Sequence, residues 1–182
     1  LQAAGITTEV GVLAEEARAL NLGFEKRMRT GQPRVIVKVG ASLDGRIALA
    51  NGESRWITSD VARADVQLLR ASASAVMTGI GTILADDPQL NVRDSRLDLG
   101  ERSLIRVVVD STLKIEPRAK IFQAPGPVWI ATCAEPGAAT KLRDVNAQIL
   151  HLPGREVGGV DLPQLLSELG RRECNDVLVE AG

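Results

Sequence analysis

The chain has 182 residues, 45% apolar and 25% charged, with a formal net charge of −1. That is enough for one globular domain with a buried core. The near-zero charge argues against a nucleic-acid or anionic-membrane partner, and the scarcity of aromatic residues, with no Tyr, argues against a base-stacking platform.

No apolar run approaches membrane-spanning length, and no charged segment followed by an apolar one opens the chain. The two cysteines, Cys133 and Cys174, are far apart beside predicted strands, which reads as two reduced thiols in a cytosolic protein. The sequence opens on Leu1 and closes on Val-Leu-Val-Glu-Ala-Gly, a strand entering a glycine loop. The expectation is a segment cut from longer sequence at both ends.

Residues 6–12 read as a strand, and residues 13–28 carry Ala, Leu and Phe at helical spacing. Thr30-Gly31-Gln32-Pro33 then marks a break, so a domain boundary is placed there. About 30 residues cannot form a core alone. Residues 1–29 are therefore expected to be a docked or poorly ordered remnant of a preceding domain, and residues 30–182 the main domain.

The main domain opens with a strand over 34–42, whose nearly continuous apolar run suggests a central strand covered on both faces. Lys38 interrupts it, either reaching the rim or aiming its charge into a site at the strand's C-terminal end. Asp44-Gly45 is a turn signal, residues 47–50 suggest a short strand, and Asn51-Gly52 is another turn. Thr58, Ser59 and Asp60 supply a helix start. Val61, Ala64, Leu68 and Ala71 then recur at helical spacing and predict an apolar stripe. Arg63 and Arg70, two turns apart, read on this evidence as solvated.

A second strand is predicted over 73–78, followed by the small-residue turn Gly79-Ile80-Gly81-Thr82, which would let a phosphate or dinucleotide approach backbone N–H groups. It lacks the full dinucleotide fingerprint. Asp86-Asp87-Pro88 fits a solvated turn, a helix cap or a metal site, and with His151 the only histidine a transition-metal site is disfavoured. Further strands are predicted over 104–110, 127–132, 147–152 and 176–181, with a capped helix over 161–168 closed by Gly170. His151 reads as a core or edge histidine.

Strands alternating with helices predict an α/β fold, a mostly parallel sheet with helices on both faces. Ligands of such folds bind beyond the C-terminal ends of the strands. Lys38, the 79–82 turn, Asp110-Ser111 and Glu180-Ala181-Gly182 all fall there. The residues by themselves thus indicate a nucleotide- or cofactor-binding α/β enzyme.

The motifs K-V-G-A-S-L-D-G-R-I-A, G-E-S-R-W-I-T, L-L-R-A and T-I-L-A-D-D-P-Q-L-N-V-R, with V-V-V-D-S and V-L-V-E-A-G later, occur in that order. Over residues 30–182 they resemble the reductase domain of the bifunctional riboflavin-biosynthesis deaminase/reductase family. Residues 1–29 look like the tail of that family's cytidine-deaminase-like domain. The resemblance implies a dihydrofolate-reductase-like fold and NADPH-dependent reduction of the ribose of 5-amino-6-(5-phosphoribosylamino)uracil, by hydride transfer to C1′ of the opened sugar.

Carried over by position, it implies cofactor contacts at Gly40, Trp56, Thr82, Asp86, Ser111 and Gly182. It implies substrate contacts at Ser54, Arg70, Leu90, Arg93 and Glu180. Arg70 and Arg93 would then supply fork-shaped donors for a ribose 5-phosphate, against the solvated reading of Arg70. Lys38 and Asp86 are the candidates for polarising the sugar and assisting proton transfer.

The parent protein is expected to deaminate as well, but the zinc signature of that half is absent here, so zinc belongs only to the deaminase domain. The stop at Gly182 implies that part of the cofactor's phosphate loop is missing. The complete protein is expected to form a homodimer through this domain. The rival readings are a dihydrofolate-reductase-like enzyme acting on a folate or pterin, disfavoured by Ser54, Arg70 and Arg93, and a non-catalytic ligand-sensing or oligomerisation domain, disfavoured by Lys38, Asp86 and Glu180.

Overall fold

The computed structural model describes residues 1–54, 57–156 and 158–181. In chain order its helices are α1 (Ala14–Leu20), α2 (Leu22–Thr30), α3 (Asp60–Ser72), α4 (Ile80–Asp86) and α5 (Leu162–Arg171). The strands are β1 (Arg34–Lys38), β2 (Ala75–Gly79), β3 (Ile105–Val109), β4 (Val128–Thr132), β5 (Ala147–His151) and β6 (Asp176–Glu180). The strands form one sheet in the order β1-β6-β2-β3-β4-β5, and every ladder is parallel.

Alternation along the strands builds two cores. Val76, Val108, Ile130 and Leu178 face one side, where Leu69 of α3 and Ile83 of α4 cover them. Ala75, Met77, Val107, Trp129 and Val177 face the other, against Leu165 and Leu169 of α5. Both sheet faces therefore carry helices, as the alternating pattern predicts. Ser59 caps α3 by accepting from Ala62 N, and Asp161 caps α5 by accepting from Gln164 N at 3.0 Å.

Several expectations are corrected. Among the described residues β1 lies at the sheet edge, with Val37 64% exposed, and is not a central strand. Composition alone says that a strand can be covered, not what covers it. Residues 6–12 form no strand, and Val10 is exposed. Residues 47–50 lie in turns, with Gly52 N donating to Leu49 O. Residues 80–82 form the first turn of α4, with Gly79 as its N-cap. Gly170 lies inside α5 and does not terminate it.

The buried face of α3 is also not the predicted stripe. Val61 and Leu68 are exposed, while Arg70 is buried and Leu69 joins the core. Both sets of positions recur at helical spacing, so periodicity could not choose between them. A buried ionic partner for Arg70 decides the rotation.

Close backbone approaches fix the helices at the start of the sheet. A Cβ on Gly170 would lie 2.0 Å from Gly31 O, so α5 can pass the segment before β1 only with glycine there. Gly23 of α2 is buried beside the Asp176 carboxylate, and Arg27 Nε donates to Asn175 Oδ1 at 2.7 Å. Helix α2 is thus docked on the start of β6, whereas α1 buries no residue.

Candidate active site

The register of β1 and β6 sets Lys38 directly beside Glu180. Both share side-chain parity with Ile36 and Leu178, so both belong to the face that carries α3 and α4. Further across, Thr78 pairs with Val108, and Asp110 follows at the end of β3 on the same face. These residues mark the C-terminal ends of four strands, where parallel sheets bind ligands.

Glu180 is held by Arg70. Nε donates to Oε1 at 2.6 Å and Nη2 to Oε2 at 3.0 Å, with both residues buried. The Arg70 fork therefore closes on a carboxylate and does not stand open. Its Nη1 donates to Asn91 O at 2.8 Å. One turn earlier on α3, Gln67 Oε1 accepts the backbone N–H of Arg93 at 2.7 Å.

The segment these bonds hold is strained. Asp87 and Leu90 have φ of 45° and 51°, left-handed conformations that cost residues with a Cβ roughly 1 kcal/mol each. Leu90 is kept there by burial of its side chain in the core, so any ligand contact at Leu90 runs through its backbone. Asp87 Oδ1 accepts from Lys120 N at 2.8 Å. Arg93 is exposed, and its guanidinium has no partner among the described residues. Neighbouring Asp94 is occupied by Arg96, whose hydrogen bonds hold its carboxyl down to about 2, leaving the charge of Arg93 uncompensated on that side.

The remaining candidates lie on separate elements. Thr82 and the exposed Asp86 lie on α4, and Ser111 follows β3. Ser111 Oγ accepts Val160 N at 3.2 Å, while Ser111 O accepts from Thr132 Oγ1 at 3.2 Å and from Cys133 Sγ at 3.4 Å. Gly40 approaches Thr58, and a Cβ there would meet Thr58 Cγ2 at 3.6 Å. A Cβ on Gly79 or Gly81 would meet nothing within 4 Å, so the surface over the start of α4 is open. Thr78 Oγ1 and Asp110 Oδ1 are buried without hydrogen-bond partners among the described residues, while Asp110 Oδ2 accepts Ile115 N at 2.8 Å. Ser54 is exposed in the loop before α3, and among the described residues no hydrogen bond joins it to the other candidates. The expected contacts at Trp56 and Gly182 lie outside the described residues. Among the described residues no cluster of His, Cys, Asp or Glu could hold a metal.

Sequence reasoning did not find the contacts of Gln67 or Asn91. The signal for Gln67 was its place three residues before Arg70, on the same helix face.

Residues 33–182 match the RibD C-terminal domain. The chain belongs to that family. The RibD protein of Escherichia coli K12 is 45% identical over the whole chain, which spans 51% of that relative. A solved structure of Acinetobacter baumannii RibD superposes with a TM-score of 0.82 at 38% identity, covering 100% of this chain and 49% of the other. The Thermotoga maritima diaminohydroxyphosphoribosylaminopyrimidine deaminase/5-amino-6-(5-phosphoribosylamino)uracil reductase gives 0.72 at 29% identity, over 94% of this chain and 45% of that one. The chain thus spans about half the length of the relatives it matches. Its fold is the dihydrofolate-reductase-like α/β fold of RibD reductase domains.

Proposed function

We propose that the chain carries the reductase half of a RibD protein and reduces the ribose of 5-amino-6-(5-phosphoribosylamino)uracil with NADPH. The observation that carries this reading is the group Lys38, Glu180 and Arg70 at the C-terminal end of β1 and β6, with Arg93 on the segment that Arg70 and Gln67 hold, in a chain matching the RibD C-terminal domain. A basic, exposed Arg93 on a rigidly held segment suits a sugar phosphate. A buried carboxylate and an adjacent lysine suit the polar, ionisable part of a pyrimidine riboside.

The open surface over Gly79 and Gly81 and the hydroxyls of Thr82 and Ser111 fit a polar cofactor lying across the strand ends. Gly40, Thr82, Asp86 and Ser111 would hold it, with Trp56 and Gly182 assigned by resemblance alone. When bound, NADPH supplies the hydride. The chain's own residues align the sugar and manage its protons. Lys38 Nζ would hold the sugar oxygen that takes up a proton as the ring opens. Asp86, exposed at the end of α4, would exchange that proton with solvent.

Residues 1–29 fit the tail of a preceding deaminase domain, which would carry the zinc, and pairing of two copies through the reductase domain belongs to the same reading. No helix among the described residues is long and apolar enough to cross a membrane.

The test is NADPH oxidation by the protein, at the length of its relatives, with and without Lys38→Met. Loss of roughly 100-fold in kcat with NADPH affinity unchanged supports the assignment. An unchanged rate removes Lys38 from the chemistry.

A further inference from the structure

We infer that Gln67 is a positioning residue for the substrate phosphate, acting through the backbone of Arg93. The inference rests on the reading of Arg93 as the phosphate contact. Gln67 is assigned no role by the resemblance, and its carboxamide touches neither Lys38 nor Glu180 by hydrogen bond.

The geometry has three parts. First, the chain leaving α4 passes through two left-handed residues that are not glycine, Asp87 and Leu90, within four positions. Such conformations persist only where surrounding contacts over-determine them, and they cluster at ligand clamps. Second, the contacts that fix this segment come from separate elements. Lys120 N binds Asp87, the core takes the Leu90 side chain, and α3 takes the rest. Third, α3 makes its two contacts from residues one turn apart. Arg70 donates to Asn91 O and Gln67 accepts from Arg93 N, so the two side chains grip alternate residues of one segment.

Arg70 has a second duty toward Glu180, whereas Gln67 has only this one among the described residues. Its Oε1 therefore sets where the Arg93 Cα, and with it the exposed guanidinium, stands. Without that bond the strained segment would keep the Leu90 anchor but lose its register beyond Asn91. The guanidinium would sample more positions, and the cost would fall on phosphate recognition and not on cofactor binding.

The experiment uses the full-length protein and the variants Gln67→Met, which keeps the stem but removes the acceptor, Gln67→Asn, which shortens its reach, Arg93→Met, and the Gln67→Met/Arg93→Met double variant. Thermal unfolding first establishes that each variant folds. Hydrogen exchange of the Arg93 amide in the substrate-free protein is then read alongside KM, kcat and NADPH affinity.

The expected result is faster exchange at the Arg93 amide by about fivefold or more, and KM for the phosphorylated substrate raised about fivefold, the size one hydrogen bond supports. Gln67→Asn should behave alike, kcat and NADPH affinity should hold within about twofold, and the KM effect should vanish in the Arg93→Met background. An unchanged KM in Gln67→Met, while Arg93→Met raises it, overturns the inference and leaves the reductase reading intact. A KM rise that persists without Arg93 also overturns it, because Gln67 would then act elsewhere. An unchanged KM in Arg93→Met overturns the phosphate reading itself.

Discussion

Arg70 and Glu180, 110 residues apart in sequence, form a side-on ion pair at 2.6 and 3.0 Å, with each side chain only 9% exposed. The pair joins α3 to the end of β6 and, through Asn91, to the segment that presents Arg93. It fixes the rotation of α3 and the floor of the site together.

Removing one partner leaves an uncompensated charge out of water, which costs about 3–5 kcal/mol, whereas replacing both by apolar residues costs much less. Glu180→Gln should accordingly destabilise the protein by about 3 kcal/mol in urea unfolding. Arg70→Met/Glu180→Leu should recover most of that loss while abolishing activity. A single variant within about 0.5 kcal/mol of the parent would mean that the pair is not buried as described.

Helix α5 can reach its place only because residue 170 has no side chain. Gly170→Ala would drive a Cβ to 2.0 Å from Gly31 O, and backbone cannot rotate away as a side chain can. Overpacking of this kind costs about 1–3 kcal/mol. The expected outcome is a clear fall in Tm with far-ultraviolet dichroism preserved. An equal or higher Tm, as helix propensity alone would give, would contradict the close approach.

The C-terminal end of α5 carries an acid-sensitive clasp. Hydrogen bonds from Arg171 and Arg172 hold the Glu168 carboxyl down to about 2. A depressed folded value stabilises the fold above the ordinary glutamate range, near 4.3, and that contribution fades as pH falls toward about 2. The pair is largely at the surface, so its worth is about 0.5 kcal/mol. The stability gap between the parent and Glu168→Gln, followed by urea unfolding, should be full at pH 6 and shrink below about pH 4.5. A gap that stays constant to pH 3 would contradict the clasp.

The two thiols should differ sharply. Cys174 is buried in the core beneath α5, and burial pushes its thiol up to about 11. Cys133 is partly exposed after β4, with Sγ donating to Ser111 O. A disulfide-exchange reagent should titrate Cys133 in the native protein and Cys174 only after unfolding. Cys133→Ser should abolish the native reaction. Rapid reaction of both thiols would mean that the core around Cys174 opens readily.

Much of the fold could be read from the sequence because its strands are short apolar runs set between turn residues, and because Ser59 and Asp161 announce their helices. What the sequence withheld depends on neighbours. Whether β1 is central or at an edge is set by which strands lie beside it. Which stripe of α3 is buried was decided by Glu180, far along the chain, and an arginine on the inner face looks like a solvated one until its partner is known. The apolar residues at 6–12 resembled a strand but have no sheet to join. At the candidate site, Arg70, Arg93, Glu180 and Lys38 were singled out through the resemblance of their motifs, and the ion pair that closes the Arg70 fork was not. The hydrogen bonds of Gln67 and Asn91 were not legible either, since they involve backbone groups of a strained loop that no local pattern reports.

The most direct measurement is the loss of NADPH absorbance in the presence of 5-amino-6-(5-phosphoribosylamino)uracil, on the protein at the length of its relatives and on its Arg93→Met variant. The account predicts steady turnover that depends on both compounds, with KM for the phosphorylated substrate raised about tenfold or more in the variant. A folded protein that oxidises no NADPH with this substrate would contradict it, and would mean that the RibD C-terminal fold here serves binding alone.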